Sequence, residues 1–155
     1  RVDARRLNFD QSFDAAISLC QGAFGLGGPA DDADDPQLLQ PDLAVLGGIA
    51  RALRPGGHFA VSAFSAYFQV ANLEQSDTFD ATSGVNHERT EIRSESGESN
   101  EVDLWTTCYT PRELRLLFER AELVVDALHS AETGTYRPLD PATTTPEFLV
   151  LGHRP

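Results

Sequence analysis

Few side chains in this sequence could take part in proton transfer or covalent chemistry. All 12 basic residues are arginines, so the chain itself offers no Schiff-base lysine, no phosphate-loop lysine and no Tyr-x-x-x-Lys pair. The candidate proton acceptors are Tyr67, His87 and Tyr109, each of which could instead be an exposed or packed side chain. Cys20 and Cys108 lie in unlike contexts and are interpreted as reduced thiols rather than as a disulfide. No metal site is predicted.

Length and charge limit the classes of partner. The chain of 155 residues has the size of one domain and carries a formal net charge of −12 at pH 7. That charge argues against a nucleic-acid backbone or an anionic membrane surface as the main partner. No apolar run approaches the roughly 18 residues that a membrane span needs, and no signal-peptide pattern is visible at the N-terminus. We therefore expect a cytoplasmic protein that binds neither nucleic acid nor membrane.

The first half of the chain predicts a strand, a helix and a second strand. "FDAAISL" at 13–19 and "HFAVSAF" at 58–64 are short apolar runs, which predict buried strands. "RPGG" at 54–57 is expected to end the helix, with a glycine in a left-handed cap. This order predicts a βαβ unit with a parallel sheet. The helix is indicated by Pro41 in its first turn and by apolar residues at steps of three or four: Leu43, Leu46, Ile49, Ala50 and Leu53.

Two polar segments interrupt this pattern. Residues 22–36 are glycine-rich and then acidic, which predicts a loop with solvated aspartates. Residues 66–108 contain two alternating runs, about 87–94 and 101–108, which predict an antiparallel hairpin inserted after the βαβ unit. Three aromatic residues of this insert could line an apolar pocket but are more typical of a core: Phe68, Phe79 and Trp105.

A second helix and two further strands are predicted to follow the insert. In "YTPRELRLLFERA", Thr110 and Glu113 have the spacing of a capping box around a helix start. "ELVVDALHS" and "EFLVLGHR" predict strands at 123–130 and 146–153. Because no helix separates these strands, we expect them to pair antiparallel. The helix has an apolar face made of Leu114, Leu117, Phe118 and Ala121.

Taken in order, these motifs resemble the second half of a class I S-adenosylmethionine-dependent methyltransferase of the small-molecule branch. The resemblance covers nearly the whole chain outside the insert. It implies an α/β, Rossmann-like sheet ordered 3-2-1-4-5-7-6, of which this chain supplies strands 4, 5, 7 and 6, with strand 7 antiparallel, plus the inserted β-hairpin. Residues 1–3 would end the third strand. The motifs are "DA" at 3–4, "FDAAIS" at 13–18, "LRPGGHFAVSAF" at 53–64 and "YTPRELRLLFERAEL" at 109–123.

The resemblance implies S-adenosylmethionine as the cofactor, bound at the carboxyl ends of the parallel strands. Asp3 matches the acid whose carboxylate accepts a hydrogen bond from the adenine amino group, and the Ala4 amide matches the donor to the adenine ring. Cys20 and Gln21 match the positions beside the methionine part and the transferring methyl group. The alternatives are a turn or capping role for Asp3 and a buried apolar role for Cys20.

The resemblance also implies methyl transfer to a small molecule, whose identity and acceptor atom the sequence does not specify. In-line positioning can supply about 7–11 kcal/mol of the barrier, so a dedicated base is not required. Where a base is used, Tyr67, His87 and Tyr109 are its candidates. The insert at 66–108 is expected to act as a lid over the substrate.

The sequence departs from the family pattern in two places. The family's glycine-rich loop after the first strand has no counterpart, because "GLGG" at 25–28 follows the predicted fourth strand. Ala121 and Glu122 stand where the family has Ala-Gly, at an expected cost below about 1 kcal/mol. With Arg1 as first residue and no methionine, we expect residues 1–155 to be a partial domain that lacks the N-terminal cofactor loop and is inactive alone.

Two other functions stay open at this point. One is an NAD(P)-dependent oxidoreductase of related topology, against which the missing Tyr-x-x-x-Lys pair argues. The other is a non-catalytic, truncated pseudo-enzyme with an exposed sheet edge.

Overall fold

The computed structural model of the protein describes residues 2–20, 23–28, 38–94, 97–134 and 137–155. A 3-10 turn at Ala4–Arg6 comes first. The other elements, in chain order, are β1 (Phe13–Ser18), α1 (Gln40–Ala52), β2 (Leu53–Ser65), α2 (Ala66–Ala71), β3 (Thr78–Asp80), β4 (Val85–Arg93), β5 (Ser99–Tyr109), α3 (Pro111–Arg120), β6 (Val124–Ala131) and β7 (Glu147–His153).

The main part of the sheet has the strand order β1-β2-β7-β6. β1 and β2 pair in parallel, with Ser18 opposite Val61, so the predicted βαβ unit is confirmed. β7 runs antiparallel to both β2 and β6. This is the order predicted for strands 4, 5, 7 and 6, with one reversed strand, and it confirms the Rossmann-like fold class.

The insert returns its last strand to the main sheet. β5 pairs in parallel with the end of β2, with Phe64 opposite Cys108 and Ser65 opposite Tyr109. β7 pairs along one edge of β2 as far as Phe64. β5 must therefore pair along the opposite edge of β2, the same edge that β1 uses. The insert therefore delivers Tyr109 to the carboxyl end of the parallel strands.

The predicted hairpin within the insert is confirmed. β4 and β5 pair antiparallel from Val85 opposite Thr107 to Arg93 opposite Ser99. β3 adds a short antiparallel strand beside β4. Neither α2 nor β3 was predicted, because six and three residues are too few to give a periodic signal.

The core lies between the sheet and the two longer helices. The capping box of α3 is present as predicted: Thr110 Oγ1 accepts from the Glu113 amide, and the Glu113 carboxylate accepts from the Thr110 amide. Each fully buried apolar side chain in this core stabilises the folded state by about 1.5–3 kcal/mol. The central members are Val45, Leu46 and Ile49 of α1, Leu114, Leu117 and Phe118 of α3, and Phe59, Val61, Phe148 and Val150 of the sheet.

β1 is not the buried strand that its apolar composition predicted. Ile17 is 77% exposed, and Phe13 and Leu19 are also exposed. In the described part of the chain β1 pairs only with β2, so its second edge carries no neighbouring strand. An apolar run identifies a strand, but its burial depends on elements that pack against it from elsewhere.

Two further expectations about local structure are wrong. α1 ends at Ala52, whose successor Leu53 is extended, and "RPGG" at 54–57 lies inside β2 instead of forming a left-handed glycine cap. Gly56 does adopt a positive φ of 76°, but its amide bonds to the Arg154 carbonyl rather than back to the helix. Residues 2 and 3, expected to end a strand, have no strand partner among the residues that the structure describes.

No helix among the described residues combines the length and the apolar character that crossing a membrane would require.

Candidate functional site

The carboxyl ends of β1, β2 and β5 lie together with the first turns of α1 and α3. Open α/β sheets bind ligands at this end of their parallel strands. A cleft of about 120 Å³ opens here, and Asp3, Ala4 and Asp42 are among the residues that line it. The remaining lining residues are Arg5, Ala23, Leu26, Gly27, Pro41 and Val45.

Asp3 has the capping role that the sequence left as an alternative. Its carboxylate accepts a hydrogen bond of 3.0 Å from the Arg5 amide and caps the 3-10 turn that begins at Ala4. The Arg5 guanidinium also donates to both carboxylate oxygens, and these bonds lower the pKa of Asp3 to about 2. The Asp3 carboxylate stays ionised and exposed, so the same group remains available to a ligand at the cleft mouth.

Cys20 follows β1 in a left-handed conformation, with a φ of 51°. Its amide donates to Ser62 Oγ on β2 at 3.0 Å, and its thiol is exposed, so it does not have the buried apolar role. Cys108 is buried, which raises the pKa of its thiol to about 12. Both cysteines are free, as predicted. Gln21 lies outside the described residues.

Ser18 leaves an unpartnered polar atom at the end of β1. Its side chain is buried, and its Oγ has no hydrogen-bond partner among the described residues. A buried hydroxyl without a partner is costly, and a ligand that donates or accepts a hydrogen bond would satisfy it. The end of β1 therefore fits a ligand with polar groups.

Asp42 is a buried carboxylate in the first turn of α1, with 3% of its surface exposed. It accepts the backbone N–H of Gly25 and lies beside the Tyr109 hydroxyl. Burial raises the pKa of Asp42 to about 6, the Glu113 charge adds to the rise, and the Tyr109 and Gly25 contacts oppose it. Asp42 therefore changes its ionisation close to neutral pH.

Tyr109 is fully buried at the end of β5, so the structure places this candidate base away from open surface. Burial and the Asp42 charge raise its pKa well above the ordinary range, which disfavours the phenolate that a base needs. Its hydroxyl lies near Asp42 without meeting hydrogen-bond geometry to any described residue. Tyr109 is thus better suited to orienting its neighbours than to abstracting a proton.

The segment Ala23–Gly28 is held between α1 and β5. The ring of Phe24 stacks on the Tyr109 ring at 4.9 Å. The Gly25 carbonyl accepts from the Thr107 amide at 2.8 Å, and its amide donates to Asp42. Gly25 has a φ of 81°, and a Cβ there would lie 3.0 Å from the Thr107 carbonyl oxygen, so only glycine fits.

His87 lies in a separate cleft of about 310 Å³ on the insert. Its ring stacks on Trp105 at 4.8 Å, and its Nε2 lies 2.9 Å from the Asp103 carboxylate. Phe79 lines the same cleft. Trp105, Phe79 and Phe68 are each half-buried and lie outside the main core, contrary to the expectation that they are core residues.

The predicted site residues therefore fall into separate groups. Asp3 and Ala4 share a cleft, and Cys20 lies near the end of β1 without lining that cleft. His87 belongs to the insert, and Tyr67 is exposed on α2. Tyr109 connects β5 to the segment that walls the first cleft.

Asp42 is the residue that the sequence did not single out. One signal was present, since an acidic residue follows Pro41 directly in the first turn of an otherwise apolar helix. A carboxylate at a helix N-terminus is common and favourable, so this signal does not distinguish a solvated residue from a buried one. The residues that contact the Asp42 carboxylate, Tyr109 and Gly25, come from other parts of the chain.

Several solved structures with the same architecture are methyltransferases. The CcbJ methyltransferase from Streptomyces caelestis is similar over 99% of this chain and 62% of its own, with a TM-score of 0.70 and 15% identity. An S-adenosylmethionine-dependent methyltransferase from Clostridium acetobutylicum matches 99% of this chain and 63% of its own, with a TM-score of 0.65 and 15% identity. One from Methanosarcina mazei has a TM-score of 0.62 and 18% identity, over 99% of this chain and 65% of its own. No protein-family model and no curated protein matches the chain.

At these identities the comparisons establish the fold. The chain has the Rossmann-like fold of class I methyltransferases over nearly its full length. It spans slightly less than two thirds of the length of each of these structures, between 62% and 65%.

Proposed function

We propose that this protein transfers the methyl group of S-adenosylmethionine to a small molecule. The observation that carries the proposal is the strand order β1-β2-β7-β6 with β7 reversed, which matches S-adenosylmethionine-dependent methyltransferases across 99% of the chain. Two free thiols and a net charge of −12 support a reducing compartment such as the cytoplasm and a partner other than nucleic acid or membrane.

The cofactor would lie at the carboxyl ends of β1 and β2. Asp3 and Ala4 would hold its adenine, and Cys20 and Gln21 would lie beside its methionine part. The ionised, exposed carboxylate of Asp3 and the unpartnered Ser18 Oγ both suit a ligand rich in hydrogen-bonding groups. When bound, the cofactor supplies an electrophilic methyl group on a sulfonium centre.

The contribution of the protein to such a transfer is positioning. Holding acceptor and methyl group in line can lower the barrier by about 7–11 kcal/mol without covalent help. The segment 66–108 would cover the acceptor, since it places β5 against the end of β2. Covering loops of this kind exclude water and determine specificity.

His87 is the best-supported of the three candidate bases. Its imidazole is paired with Asp103 and half-exposed in a cleft, which leaves it able to accept a proton from an acceptor group. Tyr109 is buried with a raised pKa, and Tyr67 is exposed on α2.

Calorimetric titration with S-adenosylhomocysteine, the demethylated cofactor, tests the proposal. Because the chain spans 62–65% of the solved structures, both this chain and the same chain extended by the upstream in-frame codons are titrated. We expect saturable micromolar binding by the extended protein and no methyl transfer by the 155 residues alone.

Two controls make this test specific. NADH is titrated in parallel, because saturable NADH binding without S-adenosylhomocysteine binding would favour an oxidoreductase. Asp3→Asn in the extended protein should weaken S-adenosylhomocysteine binding, whereas the exposed Asp10→Asn should not. Failure of the extended protein to bind S-adenosylhomocysteine would refute the proposal.

A further inference from the structure

Three ionisable side chains from different elements lie near one another at the carboxyl end of the sheet. Asp42 comes from α1, Tyr109 from β5 and Glu113 from α3, and each acts on the ionisation of another member of the group. Tyr109 and Asp42 are 0% and 3% exposed. Among the buried polar residues of the described chain, the others being serines, threonines and an asparagine, Asp42 is the one with a carboxyl group, so its burial calls for an explanation.

Stability does not explain why Asp42 is a carboxylate. Burial of its charge is unfavourable, as the raised pKa records, and an asparagine would fill the same space without that charge. The Tyr109 hydroxyl likewise lacks a well-formed hydrogen bond among the described residues, so a phenylalanine would avoid its desolvation. Groups that destabilise the folded state and lie at a ligand-binding edge are typical of functional sites.

The contacts of Asp42 and Tyr109 identify what they hold. Both touch the segment Ala23–Gly28: Asp42 accepts the Gly25 amide, and Tyr109 stacks on Phe24. Ala23, Leu26 and Gly27 of this segment line the same cleft as Asp3 and Ala4. The width of that cleft therefore depends on where the two buried side chains hold the segment.

We propose that Asp42 and Tyr109 are positioning residues for cofactor binding, which hold the segment Ala23–Gly28 at the width that the adenosine part requires. This inference rests on the proposed function. Tyr109 ends the strand that the insert delivers to the sheet, so the same contact links the acceptor-covering hairpin to the cofactor cleft. Asp42 and Tyr109 act through the segment and need not touch the ligand.

The charged groups around Asp42 determine how its effect varies with pH. Tyr109 and Glu113 act on it from β5 and α3, and Asp3 and Arg5 line the same cleft. Ionised Asp42 is the stronger acceptor for the Gly25 amide, so we expect cofactor binding to tighten as pH rises through the range in which Asp42 ionises.

The test measures S-adenosylhomocysteine binding by the upstream-extended protein between pH 5 and pH 8. At pH 7.5 we expect Asp42→Asn to raise the Kd about fivefold, because a neutral amide oxygen is a weaker acceptor for the Gly25 amide than a carboxylate. Tyr109→Leu should raise it by a similar factor, because it removes the ring that stacks on Phe24. The wild-type Kd should also fall about fivefold from pH 5 to pH 7.5, and this dependence should be absent in Asp42→Asn. Asp10→Asn, an exposed aspartate outside the cleft, is the matched control.

Unfolding in urea accompanies every titration, because a purely structural role would change stability and not the pH profile. Asp42→Asn is expected to be at least as stable as wild type and yet to bind more weakly. Variants that bind with the wild-type Kd and pH profile would overturn the inference while leaving the proposed function intact. Absence of binding by the wild type overturns the proposed function and this inference with it.

Discussion

Replacing Asp42 by asparagine is expected to stabilise the protein at neutral pH. Asp42 is 3% exposed in the first turn of α1, and its pKa is raised to about 6, chiefly by burial. Asparagine has the same shape, keeps an oxygen to accept the Gly25 amide and removes the buried charge. The substitution therefore isolates the cost of ionising this one carboxyl group.

The size of that cost follows from linkage. The folded-state pKa of about 6 lies above the ordinary 3.8, so folded protein binds this proton more tightly than unfolded protein does. The stability that the proton contributes is fully present below pH 3.8 and is lost as pH rises through 6. The rise of about two pKa units lowers the free energy of unfolding by about 3 kcal/mol at pH 7.5, compared with the value at low pH. About 2 kcal/mol of this loss occurs between pH 4.5 and pH 7.5.

Urea unfolding of wild type and Asp42→Asn across this pH range measures the effect. The difference between the two proteins is the quantity of interest, because other carboxyl groups such as Asp3, with its pKa lowered to about 2, titrate equally in both. The free energy of unfolding of Asp42→Asn should exceed that of wild type by a growing margin as pH rises. The exposed Asp10→Asn should differ from wild type by less than about 0.5 kcal/mol. A difference that stays constant from pH 4.5 to pH 7.5, or one that favours wild type at pH 7.5, would show that Asp42 is not buried as a costly charge.

Three further substitutions test the elements that support the site. Thr110→Ala removes the side-chain cap of α3 and should lower the free energy of unfolding by about 1 kcal/mol, with Thr110→Ser as the control that keeps the hydroxyl. Phe118→Ala removes a fully buried ring that stacks on Phe59 at 5.1 Å and should cost about 3–5 kcal/mol in the same urea assay. Glu122 follows α3 with a φ of 59°, a left-handed conformation that is strained for a residue with a side chain. Glu122→Gly should therefore raise the free energy of unfolding by less than about 1 kcal/mol and raise the melting temperature. Unchanged or reduced stability would contradict this account of the strain.

Local chemistry determined much of the fold from sequence. The apolar spacing around Leu46 and the capping pair at Thr110 predicted α1 and α3, because a helix start and a helical face are encoded within a few neighbouring residues. The alternating runs predicted the β4–β5 hairpin for the same reason, since pairing across a short turn needs no distant partner. The strand order followed from the resemblance carried by these motifs.

Packing between distant segments decided the rest. Ile17 belongs to an apolar run but is exposed, because burial requires a neighbouring element on each side and β1 has only β2 in the described part of the chain. Gly56 adopts a positive φ within β2, where its amide bonds to the Arg154 carbonyl, a contact between residues far apart in the chain. Sequence patterns report periodicity along one segment and contain no information about such pairings.

The same division applies to the candidate site. The sequence placed Asp3 and Ala4 at a ligand-binding edge, and the structure gathers them into one cleft, although it also shows Asp3 capping the 3-10 turn. The importance of Asp42 arises only in three dimensions, since an ordinary first-turn acid becomes a costly charge when the folded chain buries it. Desolvation depends on every atom around a group, and those atoms come from parts of the chain that only folding brings together.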